Sequence, residues 1–210
     1  MKTSNIILTA FAALIIALIT IALFTTKNAV ETIVEVANEK AVSIENAKDS
    51  VMLEDFNTLL AQGDGRIELK QTDSNPMIYG NDFEYSLENN VLSINPKGGS
   101  LILEFKKLRS IRAEDDIRIS AETVLLDSLN IHMDDDARLD AKYFTLNYAG
   151  VLANDDARLN FEESEMESAE IILNNDADVY LVNTICKDLN FEQNDDSDLS
   201  FKGKTKIGRK

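Results

Sequence analysis

A fixed interval of 20 residues constrains this chain more than any other feature. Five segments align at that interval without a gap: Glu114-Asp115-Asp116-Ile117-Arg118-Ile119, Asp134-Asp135-Asp136-Ala137-Arg138-Leu139, Asn154-Asp155-Asp156-Ala157-Arg158-Leu159, Asn174-Asn175-Asp176-Ala177-Asp178-Val179 and Asn194-Asp195-Asp196-Ser197-Asp198-Leu199. Ungapped copies of this kind mark a chain built from one small unit stacked on itself. Within a copy the apolar residues alternate in short bursts, as in Leu129, Ile131 and Met133, then Ala137, Leu139 and Ala141, then Phe144 and Leu146. A period of two broken by Asp/Asn corners means short strands with one face buried, and excludes the three- and four-residue spacing of a helix.

A single unit of this size cannot cover its own apolar face, so equivalent strands must stack along an axis at about 4.8 Å. One inner column then runs Ile119, Leu139, Leu159, Val179, Leu199, and another Ile111, Ile131, Val151, Ile171, Phe191. The expected fold is an all-β, single-stranded parallel β-helix, or solenoid, with rungs of about 20 residues. Its coil is expected to be right-handed, as parallel crossovers are. Cys186 shares a column with Leu126, Leu146 and Met166 and so reads as a core residue. His132 falls in an outward column with Arg112, Leu152, Ile172 and Glu192. Leu152 and Ile172, adjacent in that column, are a candidate apolar contact surface for a partner or a second copy.

The rest of the chain divides around this array. Residues 6–24 carry no charge and only Thr9 and Thr20 as polar side chains, with Lys2 and Lys27 on the flanks. At about 1.5 Å per residue this run spans roughly 29 Å as a helix, close to the ~30 Å hydrocarbon core of a bilayer. It is longer than a signal-peptide core and is followed by Thr25-Thr26-Lys27 rather than a small-x-small cleavage site. Residues 1–27 are therefore expected to be an uncleaved signal-anchor transmembrane segment, with the domain behind it exported across the membrane. Residues 28–54 form a spacer whose apolar pattern fits a short strand or a weakly amphipathic helix equally. The solenoid is expected over 55–203, and the basic tail 204–210, with no residue in an apolar column, is expected to fray.

Composition narrows the function. Acidic side chains number 37 against 21 basic, for a formal net charge of −16. That balance excludes ordinary nucleic-acid binding, which requires basic groups to displace counterions. One cysteine and one histidine allow neither an internal disulfide nor a thiolate or imidazole zinc site. No Gly-x-Ser-x-Gly, phosphate-loop or zinc-protease motif occurs, and no cofactor is implied.

The acidic corners are the one constellation with chemistry in it. Stacking sets Asp116, Asp136, Asp156, Asp176 and Asp196 in one column and Asp115, Asp135, Asp155 and Asp195 in the next. Carboxylates about 5 Å apart repel by roughly 0.8 kcal/mol in water and roughly 3 kcal/mol at an effective dielectric of 20. Two arrangements offset this cost. Calcium accepts six to eight carboxylate and carbonyl oxygens, which makes these acids its candidate ligands. Alternatively the side chains cap turn amides in water, with Arg118, Arg138 and Arg158 neutralising them in part. A glycan-cleaving enzyme, a further alternative, requires two carboxyls in unlike environments, whereas these repeat in similar ones.

From Asp55 to about Gly203 the chain resembles the auto-transporter adhesin head GIN domain family of bacterial envelope proteins. The resemblance rests on Asp55-Phe56-Asn57-Thr58-Leu59 as a Phe-led opening strand, Ile67-Glu68-Leu69-Lys70-Gln71, Asn90-Val91-Leu92-Ser93-Ile94 and the rungs that follow. The family turns on Gly/Ser-rich corners where this chain has Asn or Asp, residues that also tolerate left-handed conformations. The resemblance implies a β-helical envelope domain and no catalytic residue. The function expected is a non-enzymatic binding, adhesion or structural module with an unknown protein or glycan partner.

Overall fold

The structure, a computed structural model, describes residues 50–208. The expected transmembrane segment and nearly all of the spacer lie outside the described residues. Those described contain 16 strands and no helix. The first strands are β1 (Val51–Met52), β2 (Thr58–Ala61), β3 (Gly65–Gln71), β4 (Met77–Gly80) and β5 (Glu84–Glu88). Then come β6 (Val91–Asn95), β7 (Ser100–Phe105) and β8 (Ser110–Ala113). The regular region holds β9 (Ile117–Met133), β10 (Arg138–Ala153), β11 (Arg158–Glu162) and β12 (Glu165–Leu173). It closes with β13 (Asp178–Val182), β14 (Ile185–Gln193), β15 (Asp198–Lys202) and β16 (Lys206–Ile207).

From β9 onward the ladder is parallel and in the expected register. Leu139 stands opposite Ile119 on one side and Leu159 on the other, and Leu159 is followed by Val179 and Leu199. The second expected column, Ile111, Ile131, Val151, Ile171 and Phe191, is likewise in register. Both columns are buried except at the C-terminal end, where Phe191 is 50% exposed. Burial resets phase twice in each rung, after Ala141 and after Leu146, so a rung has three short inward-facing runs. We call them face A (137–141 and equivalents), face B (144–146) and face C (149–153). A core Phe contact, Phe144 against Phe161 with ring centroids 6.3 Å apart in an edge-on arrangement, ties faces A and B across adjacent rungs.

Two of the three corners use left-handed backbone. Between faces C and A, Asp115, Asp135, Asp155, Asn175 and Asp195 have φ between 55° and 65°. Asp and Asn are the non-glycine residues that adopt this conformation at least cost. Between faces A and B the left-handed position passes through Thr123, Tyr143, Glu163, Asn183 and Gly203. At this second corner two buried hydroxyls satisfy backbone groups. Ser164 Oγ accepts from the Phe144 amide at 3.1 Å, and Thr184 Oγ1 donates to the Phe161 carbonyl at 2.9 Å.

The N-terminal part departs from a serial coil. Thr58 of β2 pairs with Val91 on one side and Ser110 on the other, and β3 lies between β7 and β9. The rung 58–71 is thus inserted between rungs that follow it in sequence. Beyond β7 and β6 the sheet is covered by antiparallel strands, β4 with β1 on face A and β5 on face C. The tail also differs from expectation. It does not fray at 204: Lys206–Ile207 pairs with Ile185–Cys186, and Thr205 Oγ1 donates to the Leu181 carbonyl at 2.8 Å. The chain carries one extra residue here, so Ile207 rather than Lys206 falls in register with Cys186.

Candidate functional site

The corner between faces C and A carries three outward columns of different character. The first column is the most recessed and is held together by side chains. Asn174 Nδ2 donates to Asn154 Oδ1 at 2.7 Å, and Asn194 Nδ2 to Asn174 Oδ1 at 3.0 Å. Below them Asn154 Nδ2 donates to Asp134 Oδ1, and at the N-terminal end Gln62 Nε2 donates to Glu114 Oε2 at 2.7 Å. Arg112 joins the two acids of the column, with Nε 2.6 Å from Glu114 and Nη2 3.7 Å from Asp134. His132 Nε2 lies 3.1 Å from the same Asp134 carboxylate. The outward column of Arg112 and His132 therefore supports the corner.

The calcium candidates form the other two columns, all exposed. Asp115 Oδ2 accepts from the Gly63 amide at 2.9 Å, and Asp155 Oδ1 from Asn175 Nδ2 at 2.7 Å. Gly63 is the left-handed counterpart of Asp115 one rung below (φ 90°), and a Cβ there would meet Asn95 Oδ1 at 2.8 Å. Asp116, Asp136, Asp156, Asp176 and Asp196 point to solvent beside them. Among the described residues no group of three or more His, Cys, Asp or Glu side chains is placed to hold a metal ion. Nor do Arg118 and Arg138 form an ion pair with these acids within 4.0 Å. Among the described residues Arg158 alone of the three arginines expected to neutralise the corner has an ion-pair partner, Asp178 on face A at 3.6 Å.

Those arginines instead belong to a column of their own. Register places Arg66, Arg118, Arg138 and Arg158 one above another on the outer side of face A. Beside them lies a shallow groove of about 360 Å³ lined by four acids, Glu68, Glu122, Asp140 and Glu162, together with Lys142 and Asn160. The Asn160 Oδ1 in its wall is buried and has no hydrogen-bond partner. A buried amide oxygen without a donor costs roughly 1–3 kcal/mol, and a ligand that donates to it recovers that cost. At the groove's C-terminal end the Tyr180 hydroxyl donates to Asp178 at 3.1 Å, and Lys202 Nζ sits 4.3 Å from the Tyr180 ring centroid. Desolvation first, and Asp178 second, raise the Tyr180 hydroxyl above the usual phenol range, so it stays a donor.

Leu152 and Ile172 stand side by side in their outward column, each only partly exposed. Cys186 is fully buried and its thiol is pushed up by desolvation, as suits a core residue. Of this column, Arg118, Arg138 and Arg158 follow the 20-residue period, but Arg66 was hidden from the sequence because it precedes Arg118 by 52 residues, not 20. The signal was present in Arg66-Ile67-Glu68-Leu69, which matches Arg118-Ile119-Ser120-Ala121 position by position.

No family model and no curated protein matches the sequence. The fold, however, is similar to that of a putative adhesin from Parabacteroides distasonis ATCC 8503. The TM-score is 0.54 at 10% identity, over 80% of this chain and 94% of that one. A putative adhesin from Parabacteroides merdae ATCC 43184 aligns at a TM-score of 0.47 and 12% identity, over 80% of this chain and 97% of that one. A putative lipid binding protein from Parabacteroides distasonis ATCC 8503 aligns at 0.39 and 11% identity, over 79% and 98%. The first of these likenesses shows an adhesin-like fold; the head GIN family itself is not identified by it.

Proposed function

We propose that this chain is a non-enzymatic binding module that meets an extended protein or glycan partner along the outer side of face A. The observation that carries this reading is the in-register column Arg66, Arg118, Arg138 and Arg158 beside the groove with the unpaired Asn160 amide oxygen. Guanidinium groups repeated at the rung spacing suit a partner with regularly spaced carboxylate or other oxyanion groups on one side, and the acidic groove with Asn160 Oδ1 suits hydroxyl or amide donors on the other. Between Arg66 and Arg138 no ion pair engages these side chains among the described residues. A stiff ladder holds their Cα atoms at fixed intervals, so the backbone needs no ordering on binding and the entropy cost is that of the arginine side chains, about 0.5–1.5 kcal/mol each.

In the same reading residues 1–27 anchor the protein in a bacterial membrane and the solenoid is presented outside it. The test uses the whole protein in detergent micelles on arrays of envelope glycans and peptides. A ligand that is lost with Arg118→Glu/Arg138→Glu at unchanged melting temperature supports the site. Hits that ignore this double variant place binding elsewhere, and turnover of a bound glycan overturns the non-enzymatic reading.

A second reading, calcium between the two exposed corner columns, is favoured by the stacking of Asp135 and Asp155, and of Asp136 and Asp156, without a basic partner among the described residues. A cation would have to draw neighbouring columns together, and millimolar calcium would then raise the melting temperature. No rise dismisses it.

A further inference from the structure

The two ends of the ladder are finished differently. At the N-terminal end antiparallel strands overlie the parallel stack: β4 and β1 on face A, β5 on face C. At the C-terminal end the last face A strand, β15, pairs only with β13 among the described residues, and its other edge is bare. Two inner-column side chains are uncovered there, Phe191 at 50% and Phe201 at 46% exposure. A bare edge backed by exposed aromatic side chains is a template for another strand.

The sequence of β15 says which strand fits it. Asp198, Ser200 and Lys202 point outward and Leu199 and Phe201 inward, so the strand reads acid, neutral, base on one side and apolar on the other. Asp198 has no cationic partner and Lys202 no carboxylate partner within 4.0 Å among the described residues, because Arg158 is spent on Asp178. The two are four residues apart, about 13 Å along a strand, too far to pair within one copy. An antiparallel copy of the same strand centred on Ser200 sets Asp198 opposite Lys202 twice and Leu199 opposite Phe201 twice. A two-fold axis midway between the two Ser200 residues and normal to face A keeps the inward side chains of both copies inward.

We propose that the protein self-associates tail to tail through this edge, β15 pairing with β15 of a second copy. The contact is isologous, so it closes at two copies and adds no further growth.

Cysteine cross-linking of the full chain in membranes tests the register. Opposed Cα atoms in an antiparallel pair lie about 4.5–5.5 Å apart, inside the range a disulfide spans. Ser200→Cys, facing its own mate across the axis, is expected to give a disulfide-linked dimer under mild oxidation. Ser120→Cys lies in the same outward column but has strand partners on both sides, and it should stay monomeric. The native Cys186 is buried and adds no background. In the Ser200→Cys background, Asp198→Lys or Lys202→Asp should each cut the dimer yield about ten-fold, and the two together should restore it. Equal cross-linking of Ser200→Cys and Ser120→Cys, whether both strong or both weak, overturns the proposal. Single charge reversals without effect do the same.

Discussion

Single residues in the corner between faces C and A carry more than solubility. In the side-chain chain from Asn194 through Asn174 to Asn154 and Asp134, Asn174 and Asn154 each both donate and accept, so replacing either breaks two contacts. Asn174→Asp removes the donor to Asn154 Oδ1 and sets a carboxylate against that oxygen. The expected cost is about 1–3 kcal/mol above the new carboxyl's pKa, relieved once acid protonates it and restores a donor. Denaturant melts at neutral and acidic pH check this, and equal losses at both would refute it. The left-handed position next to it makes the opposite demand. Asp135, at φ 57°, should accept glycine nearly without loss, whereas Asp135→Val should lose about 1–2 kcal/mol or more. Cys186 provides a third check. A fully buried thiol with a raised pKa should resist alkylation in the native protein and react at once when the chain is unfolded.

At the scale of the strand and rung, stability comes from columns of like side chains. Leu159 is fully buried between Leu139 and Val179, so Leu159→Ala is expected to cost about 2–5 kcal/mol, since neighbours on both sides hold the cavity open. Removing residues 137–156 should leave a shorter folded domain, because register is preserved, whereas removing 137–146 should abolish cooperative unfolding. The inner columns were legible in the sequence because alternation and a 20-residue period coincide on the same residues. The left-handed corner through Thr123, Tyr143, Glu163 and Asn183 was not, because those four side chains share no turn chemistry. Ser164 and Thr184 were hidden for a related reason. They serve backbone groups freed at that corner, and a hydroxyl in an apolar column gives no sign of that task. The closing strand β16 was missed through a single inserted residue, which shifts Ile207 out of the period that flags the rest. Of the site, the acidic corners were plain from the start. Arg118, Arg138 and Arg158 were equally plain as repeats, but their fourth member, Arg66, became visible only when a contact 52 residues long brought it beneath Arg118.

For the molecule as a whole, the placement of 58–71 between 91–105 and 110–121 separates two kinds of sequence. From Leu129 onward every new rung lies directly on the one before. Upstream, a strand must wait for neighbours made 33 and 52 residues later before either of its edges is satisfied. Such distant closures slow folding, so the N-terminal part is expected to be the late, rate-limiting step. Refolding followed by hydrogen exchange should protect Val151 and Ile171 before Leu59 and Ile67. Duplicated genetic units can therefore lengthen this protein only downstream of the threaded segment. Evolution inherits a measuring rod whose zero is locked and whose far mark is free to move.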